Sequence, residues 1–413
     1  MSIAKDMETY FDAEHLCLNE CQNSIAQGAL TNSKRLESFV AGVFPSHFVR
    51  GNQEYVYDYN DNQYIDYLCG LGTNLFGYTN PDVTLAIQRA LLHGTSLSLG
   101  SPSEVQFARL FKMKFPFVDK IKILKSGSEG CAASLRIARA FTGRSTVLTE
   151  GYHGWHDEFT SLTAPCTGVP RESSYQIEYL EKSLSIEQLN ETVAAVIIEP
   201  VITDWSEERR QFLSRLREKC TRSGALLIYD ETITAYRFPE YSVASYWGIE
   251  PDLFIAGKAL ANGMPISVVG GKRNVMDCDY FVSTTYAGER LTLEAAIACT
   301  HLITNQYKPD HLWERGQQFM DEMNEALNPA IELKGYPSRG IFVGNERIRA
   351  MFIQEMVKMG FFFHPSTWFY NIHLHNHIDD VVDCAHNVIK RILNGSVSLQ
   401  GNPPQSPFKK LGH

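Results

Sequence analysis

No stretch of this 413-residue chain approaches the roughly 20 consecutive apolar residues that a bilayer-spanning helix needs, so no membrane partner is expected. The N-terminal segment MSIAKDMETYFDAEHLCLNE has acids throughout and no apolar run of the secretory kind, so no export signal is expected either. Basic residues are in deficit: 38 Lys and Arg against 47 Asp and Glu leave a formal charge of −9, which argues against a nucleic-acid backbone as partner. Cysteine is scarce and scattered. There are nine, an odd number, and only Cys17 and Cys21 are close, at helical i, i+4 spacing with no second pair nearby, so neither a disulfide framework nor a cysteine metal cluster is indicated. Internal repeats are absent. The expectation is a reduced, cytoplasmic, enzyme-sized chain whose 44% hydrophobic content can bury one large domain and a smaller one.

Six short apolar runs at 121–124, 145–148, 193–198, 225–229, 253–256 and 266–269 alternate with helical stretches. Strands separated by helices predict an α/β fold with a mostly parallel sheet, and such sheets bind ligands at the C-terminal ends of their strands. Residues 206–223 form an amphipathic pattern with Phe212, Leu213, Leu216 and Cys220 on one face and Gly224 as its stop. Residues 1 to about 45 read as a polar helical arm with Phe39, Val40 and Val43 as its apolar tail. Two strand-like runs, 55–58 and 64–67, flank the turn Asn60-Asp61-Asn62. A helix is expected after Asn80-Pro81-Asp82, with others near 289–304, 312–327 and 378–393, and the Gly/Pro/Ser-rich tail from Asn394 reads as mobile.

The chemistry-bearing residues follow the apolar runs. After 121–124 comes Lys125-Ser126-Gly127-Ser128-Glu129-Gly130, feeding a helix with Ala133, Ile137, Ala140 and Phe141 on one face. A small-residue turn at a helix N-terminus suits a phosphate, through free amides, the helix dipole and a hydroxyl; it equally suits an ordinary serine cap. Its glycine spacing matches neither a Walker A loop nor G-x-G-x-x-G, which disfavours a NAD-dependent oxidoreductase. Gly151-Tyr152-His153-Gly154-Trp155-His156 places aromatics between glycines, as a stacked flat ring would need, or as plain loop packing would. Asp230 follows the run 225–229, where a carboxylate can hold a ring N–H or simply be a surface acid or helix cap. Lys258 follows the run 253–256 and Gly257; a lysine at the lip of a buried strand has its pKa lowered, as a Schiff-base lysine requires, although a solvated surface lysine fits the spacing too.

In this order the segments resemble the class III aminotransferases, fold type I enzymes that use pyridoxal 5′-phosphate (PLP). The markers are Tyr55-Val-Tyr-Asp with Tyr64-Ile-Asp-Tyr; Ser126-Gly-Ser-Glu with Arg136-Ile-Ala-Arg-Ala-Phe-Thr-Gly-Arg144; Gly151-Tyr-His-Gly; Ile197-Ile-Glu-Pro-Val201; Asp230-Glu; Lys258-Ala-Leu-Ala-Asn-Gly-Met-Pro-Ile; and Thr284-Thr-Tyr-Ala-Gly. The branch most resembled is that of the glutamate-1-semialdehyde aminomutases and their relatives, where Gly288-Glu289 also occurs in place of Gly-Asn-Pro. The resemblance implies a large domain with a seven-stranded, mostly parallel sheet flanked by helices, and a small α+β domain drawn from both termini. It divides the chain into an arm and part of the small domain (1–80), the PLP-binding domain (81–305), the rest of the small domain (306–394) and a flexible tail (395–413).

The resemblance also assigns roles. Lys258 forms the Schiff base and shuttles the proton. Asp230 pairs with the pyridine nitrogen. Ser126, Gly127 and Ser128 hold the phosphate; Tyr152 stacks on the ring, beside His153; Thr232 packs under it. Thr285 reaches the cofactor of a neighbouring subunit, so the active unit is a homodimer with shared sites. Glu199 and Arg50 lie on the substrate side, Arg50 as a carboxylate ligand or, equally, as one half of a salt bridge. The expected activity is transfer of an amino group from an amino acid, glutamate, to an aldehyde or ketone, with pyridoxamine phosphate as the aminated form of the cofactor.

Departures from the family pattern fall around the substrate. Thr232 replaces the usual valine, Leu71 stands where the aminomutases have a pocket tryptophan, residues 361–370 replace a carboxylate-bearing loop, and the segment 328–347 is shorter. The aromatics of 361–370 point to an acceptor larger than glutamate semialdehyde, such as a keto-sugar. The rivals are the aminomutase itself and a catalytically silent PLP-binding relative. His373, His375 and His377 alternate as zinc ligands on a strand face would, but they fall on the family's strand leading into the last helix, so no metal is expected.

Overall fold

The runs Tyr55-Val-Tyr-Asp and Tyr64-Ile-Asp-Tyr are rich in β-branched and aromatic residues, and in the computed structural model of the chain they belong to an antiparallel meander: β1 (Phe48–Asn52), β2 (Tyr55–Asp58) and β3 (Gln63–Asp66). The structure describes residues 14–160 apart from 15 and 41, residues 189–405, and the short pieces 163–164, 168–169, 177–179, 186 and 409–410. They form two compact units, one from the spans 1–80 and 314–407, the other from 81–313 and 408–413.

The larger unit is built on a seven-stranded sheet. Its members are β4 (Lys120–Leu124), β5 (Thr146–Glu150), β7 (Ile177–Tyr179), β8 (Val193–Ile198), β9 (Leu226–Glu231), β10 (Leu253–Gly257) and β11 (Ser267–Gly271); β6 (Thr163–Ala164) lies outside it. The order across the sheet is β4-β11-β10-β9-β8-β5-β7. Only β11 runs antiparallel to its neighbours. β8 and β9 are buried along their whole length, as central strands covered on both faces must be, which is why they read as unbroken apolar runs. The helices α1 (Pro81–Leu91), α2 (Pro102–Lys114), α3 (Gly127–Thr142), α4 (Glu207–Ser223) and α5 (Arg290–Asn305) belong to this unit. α3 packs on the sheet through Leu135, Ile137 and Ala138 against Val147, Ala195, Ile228 and Ile255. Each such aliphatic side chain contributes about 1.5–3 kcal/mol on burial. The stripe differs from the one expected at its end, since Ala140 and Phe141 are exposed. Phe141 instead lines a surface cleft of about 590 Å³ with Cys220 and Leu226.

α2 was not anticipated from apolar periodicity, although its start carries a capping box, Ser101 with Glu104, behind Pro102. The helical arm is also only partly as expected: residues 16–24 are helical, and three single 3₁₀ turns follow before the buried Phe39 and Val40.

The smaller unit adds β12 (Ile331–Tyr336), β13 (Arg339–Gly344), β14 (Phe361–Phe362) and β15 (Trp368–Phe369). β14 extends the meander beside β3, and β12-β13-β15 form a second sheet. The helices α6 (Pro309–Leu327), α7 (Glu346–Lys358) and α8 (Ile378–Leu393) follow the predicted pattern closely for α8, whose buried positions are Ile378, Val381, Ala385, Val388, Ile389 and Ile392. The tail is held down at several points. Gln354 bonds Ser398 O at 3.0 Å and Gln400 N at 2.8 Å, and Gln405 N reaches Glu37 O at 2.7 Å. β16 (Lys409–Lys410) pairs with β6.

Two sequence expectations are overturned here. Residues 374–377 form a 3₁₀ turn, not a strand, so the three histidines do not share a face; they bond separately to Phe76 O, Ile372 O and Glu54. Asn371, accepting from His373 N at 2.9 Å, begins the turn. The aromatics of 361–370 are core, not pocket lining: Phe363, Trp368 and Tyr370 are buried, with Phe363 stacked on Tyr67 at 4.4 Å and Trp368 edge-on to Phe319 at 5.3 Å. Among the described residues every cysteine is a free thiol, and no helix is long and apolar enough to cross a membrane.

Candidate active site

β9 and β10 run side by side in register, Ile255 beside Asp230 and Ala256 beside Glu231. Residues that follow parallel strands emerge at one edge of the sheet, so Asp230 and Lys258 reach the same edge from neighbouring strands. Lys258 opens a 3₁₀ turn in the left-handed region, at φ +43°, a conformation that costs about 1–3 kcal/mol for a side chain and is held by its surroundings. Gly257 permits it: a β-carbon there would lie 3.2 Å from both Ile266 O and Thr232 Cγ2.

Asp230 is buried and fully bonded by the chain. Oδ2 accepts from His153 Nδ1 at 2.8 Å and Cys131 Sγ at 3.2 Å; Oδ1 accepts from Thr232 N at 3.1 Å and Thr232 Oγ1 at 2.6 Å. His153 Nε2 faces Glu150 O at 3.1 Å. With acceptors facing both ring nitrogens, the surroundings favour the doubly protonated, positively charged imidazole. Burial opposes that charge, but the hydrogen bond and charge of Asp230 outweigh it and raise the His153 pKa. Burial would likewise raise Asp230, yet His153 first, then Thr232 and Cys131, hold it below the ordinary carboxylate range. The two directions agree: this is a buried ion pair with an ionised aspartate. The side-chain ligand atoms of Cys131, His153 and Asp230 all lie within 4.8 Å of one another. In the structure the Cys131 thiol and the His153 ring are both hydrogen-bond partners of the Asp230 carboxylate.

The turn before α3 is a capped helix start. Ser126 Oγ accepts from Glu129 N at 3.2 Å, and Glu129 Oε2 accepts from Lys125 N at 2.8 Å and Ser126 N at 2.9 Å. Serine-cap and anion-cradle readings are therefore compatible, because the amides of Gly127 and Ser128, at the first helical positions, have no partner within the helix. The loop after β5 lies directly on that turn. A β-carbon on Gly154 (φ +103°) would come within 2.1 Å of Ser128 Oγ and 2.7 Å of its Cα. Gly151 (φ +113°) is pressed against Glu199 in the same way, at 2.8 Å from Oε1.

Glu199, expected on the substrate side, holds this loop: its Oε1 accepts from Tyr152 N at 2.8 Å. Arg209 supports the arrangement from below, bonding Glu150 Oε1, Pro200 O and Glu199 O at 2.9, 2.9 and 3.0 Å. Tyr152 as a residue is 49% exposed. Thr285 is exposed on the loop before α5. That loop ends at Glu289, which caps α5 and pairs with Lys125 Nζ at 2.9 Å, tying it to the cradle. Arg50 and Leu71 belong to the other unit. Arg50 pairs with Asp61 and lies 3.4 Å over the Tyr57 ring.

Sequence reasoning missed Cys131, whose only signal was its place on the buried side of α3, and had no means of finding the Arg209 clamp or the His153–Asp230 bond, which join residues far apart in the chain. The assembled groups are a capped helix N-terminus, a buried carboxylate, a half-exposed tyrosine and an amine just beyond the end of the adjoining strand.

The family profile described as aminotransferase class-III matches residues 40–366. Among solved structures, the chain superposes on the FumI protein of Sphingopyxis sp. MTA144 in its PLP internal aldimine form with a TM-score of 0.86 at 23% identity, covering 95% of this chain and 98% of that one. It superposes on an omega-transaminase from Sphaerobacter thermophilus with a TM-score of 0.81 at 21% identity, over 92% and 97% of the two chains. A glutamate-1-semialdehyde-aminomutase from Pseudomonas aeruginosa PAO1 gives 0.79 at 19% identity, over 95% and 97%.

Proposed function

Since this chain belongs to the class III aminotransferases, we propose that it is a PLP-dependent aminotransferase that moves an amino group from glutamate to an aldehyde or ketone. The observation that carries this reading is the buried Asp230–His153 ion pair at the end of β9, with Lys258 beyond the end of the adjoining β10. When bound, pyridoxal phosphate supplies an aldehyde that can accept an amine and a protonated ring that withdraws electrons. The chain's residues do the rest. Gly127 and Ser128 bind the dianionic phosphate at the α3 N-terminus, where amides and dipole favour negative charge. Asp230, kept ionised by His153, holds the ring proton. Tyr152 covers one face of the ring, and Thr232 lies under the other. Lys258 Nζ gives and takes the proton that must move between two carbons, a task that needs one amine held within reach of both.

Arg50 recognises the donor's carboxylate by exchanging Asp61, its partner through a single contact, for it, since a guanidinium pairs with either carboxylate. The working unit is a homodimer. Thr285 is exposed, and Leu85, Leu92, Leu97, Leu99, Phe281 and Tyr286 of the same unit expose apolar surface that a second copy would cover. A reducing, cytosolic setting suits the Cys131 thiol, which must stay protonated to donate to Asp230. The keto-sugar acceptor loses its main support now that residues 361–370 form core, so the acceptor is specified only as a carbonyl compound.

The test is a half-reaction. Protein loaded with pyridoxal phosphate and mixed with glutamate alone should lose its visible absorbance and release one equivalent of 2-oxoglutarate. An unchanged spectrum removes glutamate as donor. Glutamate-1-semialdehyde supplied as sole substrate and isomerised without added acceptor would move the assignment to the aminomutase.

A further inference from the structure

Thr232 stands where three parts of the site meet. Its amide and its hydroxyl both donate to Asp230 Oδ1, at 3.1 and 2.6 Å. Its Cγ2 is what a β-carbon on Gly127 or on Gly257 would strike, at 3.1 and 3.2 Å, so the side chain touches both the anion cradle and the residue before Lys258. The other oxygen of Asp230 belongs to His153 and Cys131. A carboxylate offers about four lone-pair sites, and the chain alone matches all of them with donors. A ring N–H must share an oxygen with a donor already there. Among the described residues Oδ1 is the oxygen that no cation bonds, and the shorter of the two bonds onto it comes from the Thr232 hydroxyl.

Resting on the reading of Asp230 as the partner of the cofactor's ring nitrogen, we propose that Thr232 is a positioning residue that weakens the grip of Asp230 on the ring proton. A hydroxyl donating to Oδ1 lowers the basicity of that oxygen, as hydrogen bonds to a charged acceptor do. Valine has nearly the same shape and contacts but no donor, so the effect belongs to the hydroxyl and not to packing. The consequence is a ring that holds its proton less firmly, and withdraws electrons less strongly, than it would above a valine. The other titratable groups around Asp230 are His153 from the loop after β5, Cys131 from α3, Glu231 beside it on β9, Lys258 from the end of β10 and Glu199 behind the Tyr152 loop. None of them changes in the Thr232 variants.

The measurement is ¹⁵N NMR of the full-length protein loaded with pyridoxal phosphate labelled at the ring nitrogen, whose resonance reports how far the proton sits on nitrogen. Thr232→Val should move the resonance toward the protonated limit, by the equivalent of about tenfold in proton affinity, the size expected for one lost hydrogen bond to a charged group. Thr232→Ser keeps the hydroxyl and should stay at the wild-type position. Identical resonances for wild type and Thr232→Val, or a serine variant that follows the valine one, overturn the proposal. Asp230→Asn is measured alongside. If it leaves the resonance unmoved, Asp230 is not the ring's partner, and the functional reading fails first and takes this one with it.

Discussion

β9 ends on two consecutive carboxylates that point to opposite faces of the sheet, and the two faces treat them differently. Asp230 meets a cation, a thiol, a hydroxyl and an amide, and stays charged. Among the described residues Glu231 bonds only the Thr234 hydroxyl and the amides of Val243 and Ala244. Burial pushes Glu231 up to about 7 against those three bonds, and the charge of Asp230 adds to the push. Both side chains are buried, so depth alone does not distinguish them. What does is His153. Burial by itself neutralises a carboxylate, and a buried charge survives only where the fold supplies its counter-ion. The face with the counter-ion keeps its carboxylate charged, as the proposed role of Asp230 requires; the carboxylate on the other accepts from the first amides of the short helix Val243–Trp247.

The comparison breaks most completely at Asp230. Asp230→Asn leaves the His153 cation without its partner in a buried site, and the expected loss is about 3–5 kcal/mol in denaturant unfolding. Amino transfer from glutamate should fall by at least about 10²-fold with it. A variant with wild-type stability would show that the pair carries no charge.

Glu231 provides the contrast through pH. Its folded pKa of about 7 lies above the ordinary 4.5, so the native state binds more protons than the unfolded chain between those values. Its contribution is complete below pH 4.5 and is lost as pH rises to about 7, up to ~3 kcal/mol over the interval. Glu231→Gln should flatten that decline in unfolding curves recorded at pH 5 and 7.5. Asp230 works with the opposite sign: its pKa is lowered from 3.8, so its contribution is present above that value and lost only as pH falls through the depressed one. An unaltered slope in Glu231→Gln would mean that both carboxylates are charged and the contrast is absent.

The smallest effect comes from the loop that covers the charged face. Gly154→Ala forces a β-carbon to within 2.1 Å of Ser128 Oγ at a φ of +103°, and about 2 kcal/mol of strain follows. The Tyr152 loop must then lift from the α3 N-terminus, and binding of pyridoxal phosphate should weaken by roughly tenfold or more in a fluorescence titration. Gly143→Ala, where no atom lies within 4 Å but φ is also positive, isolates the backbone cost from the steric one.

Much of this site was legible because parallel strands announce themselves. Unbroken apolar runs ended within two residues of the observed strands, and Ser126, Tyr152, Asp230 and Lys258 each follow one of them. Capping residues were legible for the same local reason: Ser126 with Glu129, Ser206 before α4, Gly224 after it. What was not legible is non-local. Nothing near His153 announces its bond to Asp230, and nothing near Arg209 announces that it clamps Glu150 and Glu199. Cys131 could have been suspected from its place on the sheet-facing side of α3, one turn after Gly127. Local pattern misled where composition mimicked something else. Alternate histidines suggested a strand, but Asn371 starts a turn there; clustered aromatics suggested a binding loop, but Tyr67, Phe319 and Phe363 stack them into core.

The claim beneath all of this is that Lys258 is the amine that receives the cofactor. Borohydride reduction of the protein loaded with pyridoxal phosphate, followed by peptide mass spectrometry, reads it directly. The account predicts one phosphopyridoxyl group per chain, on the peptide containing Lys258, and none in Lys258→Ala. Label fixed on another lysine, or a Lys258→Ala protein that is labelled as fully as wild type, contradicts it.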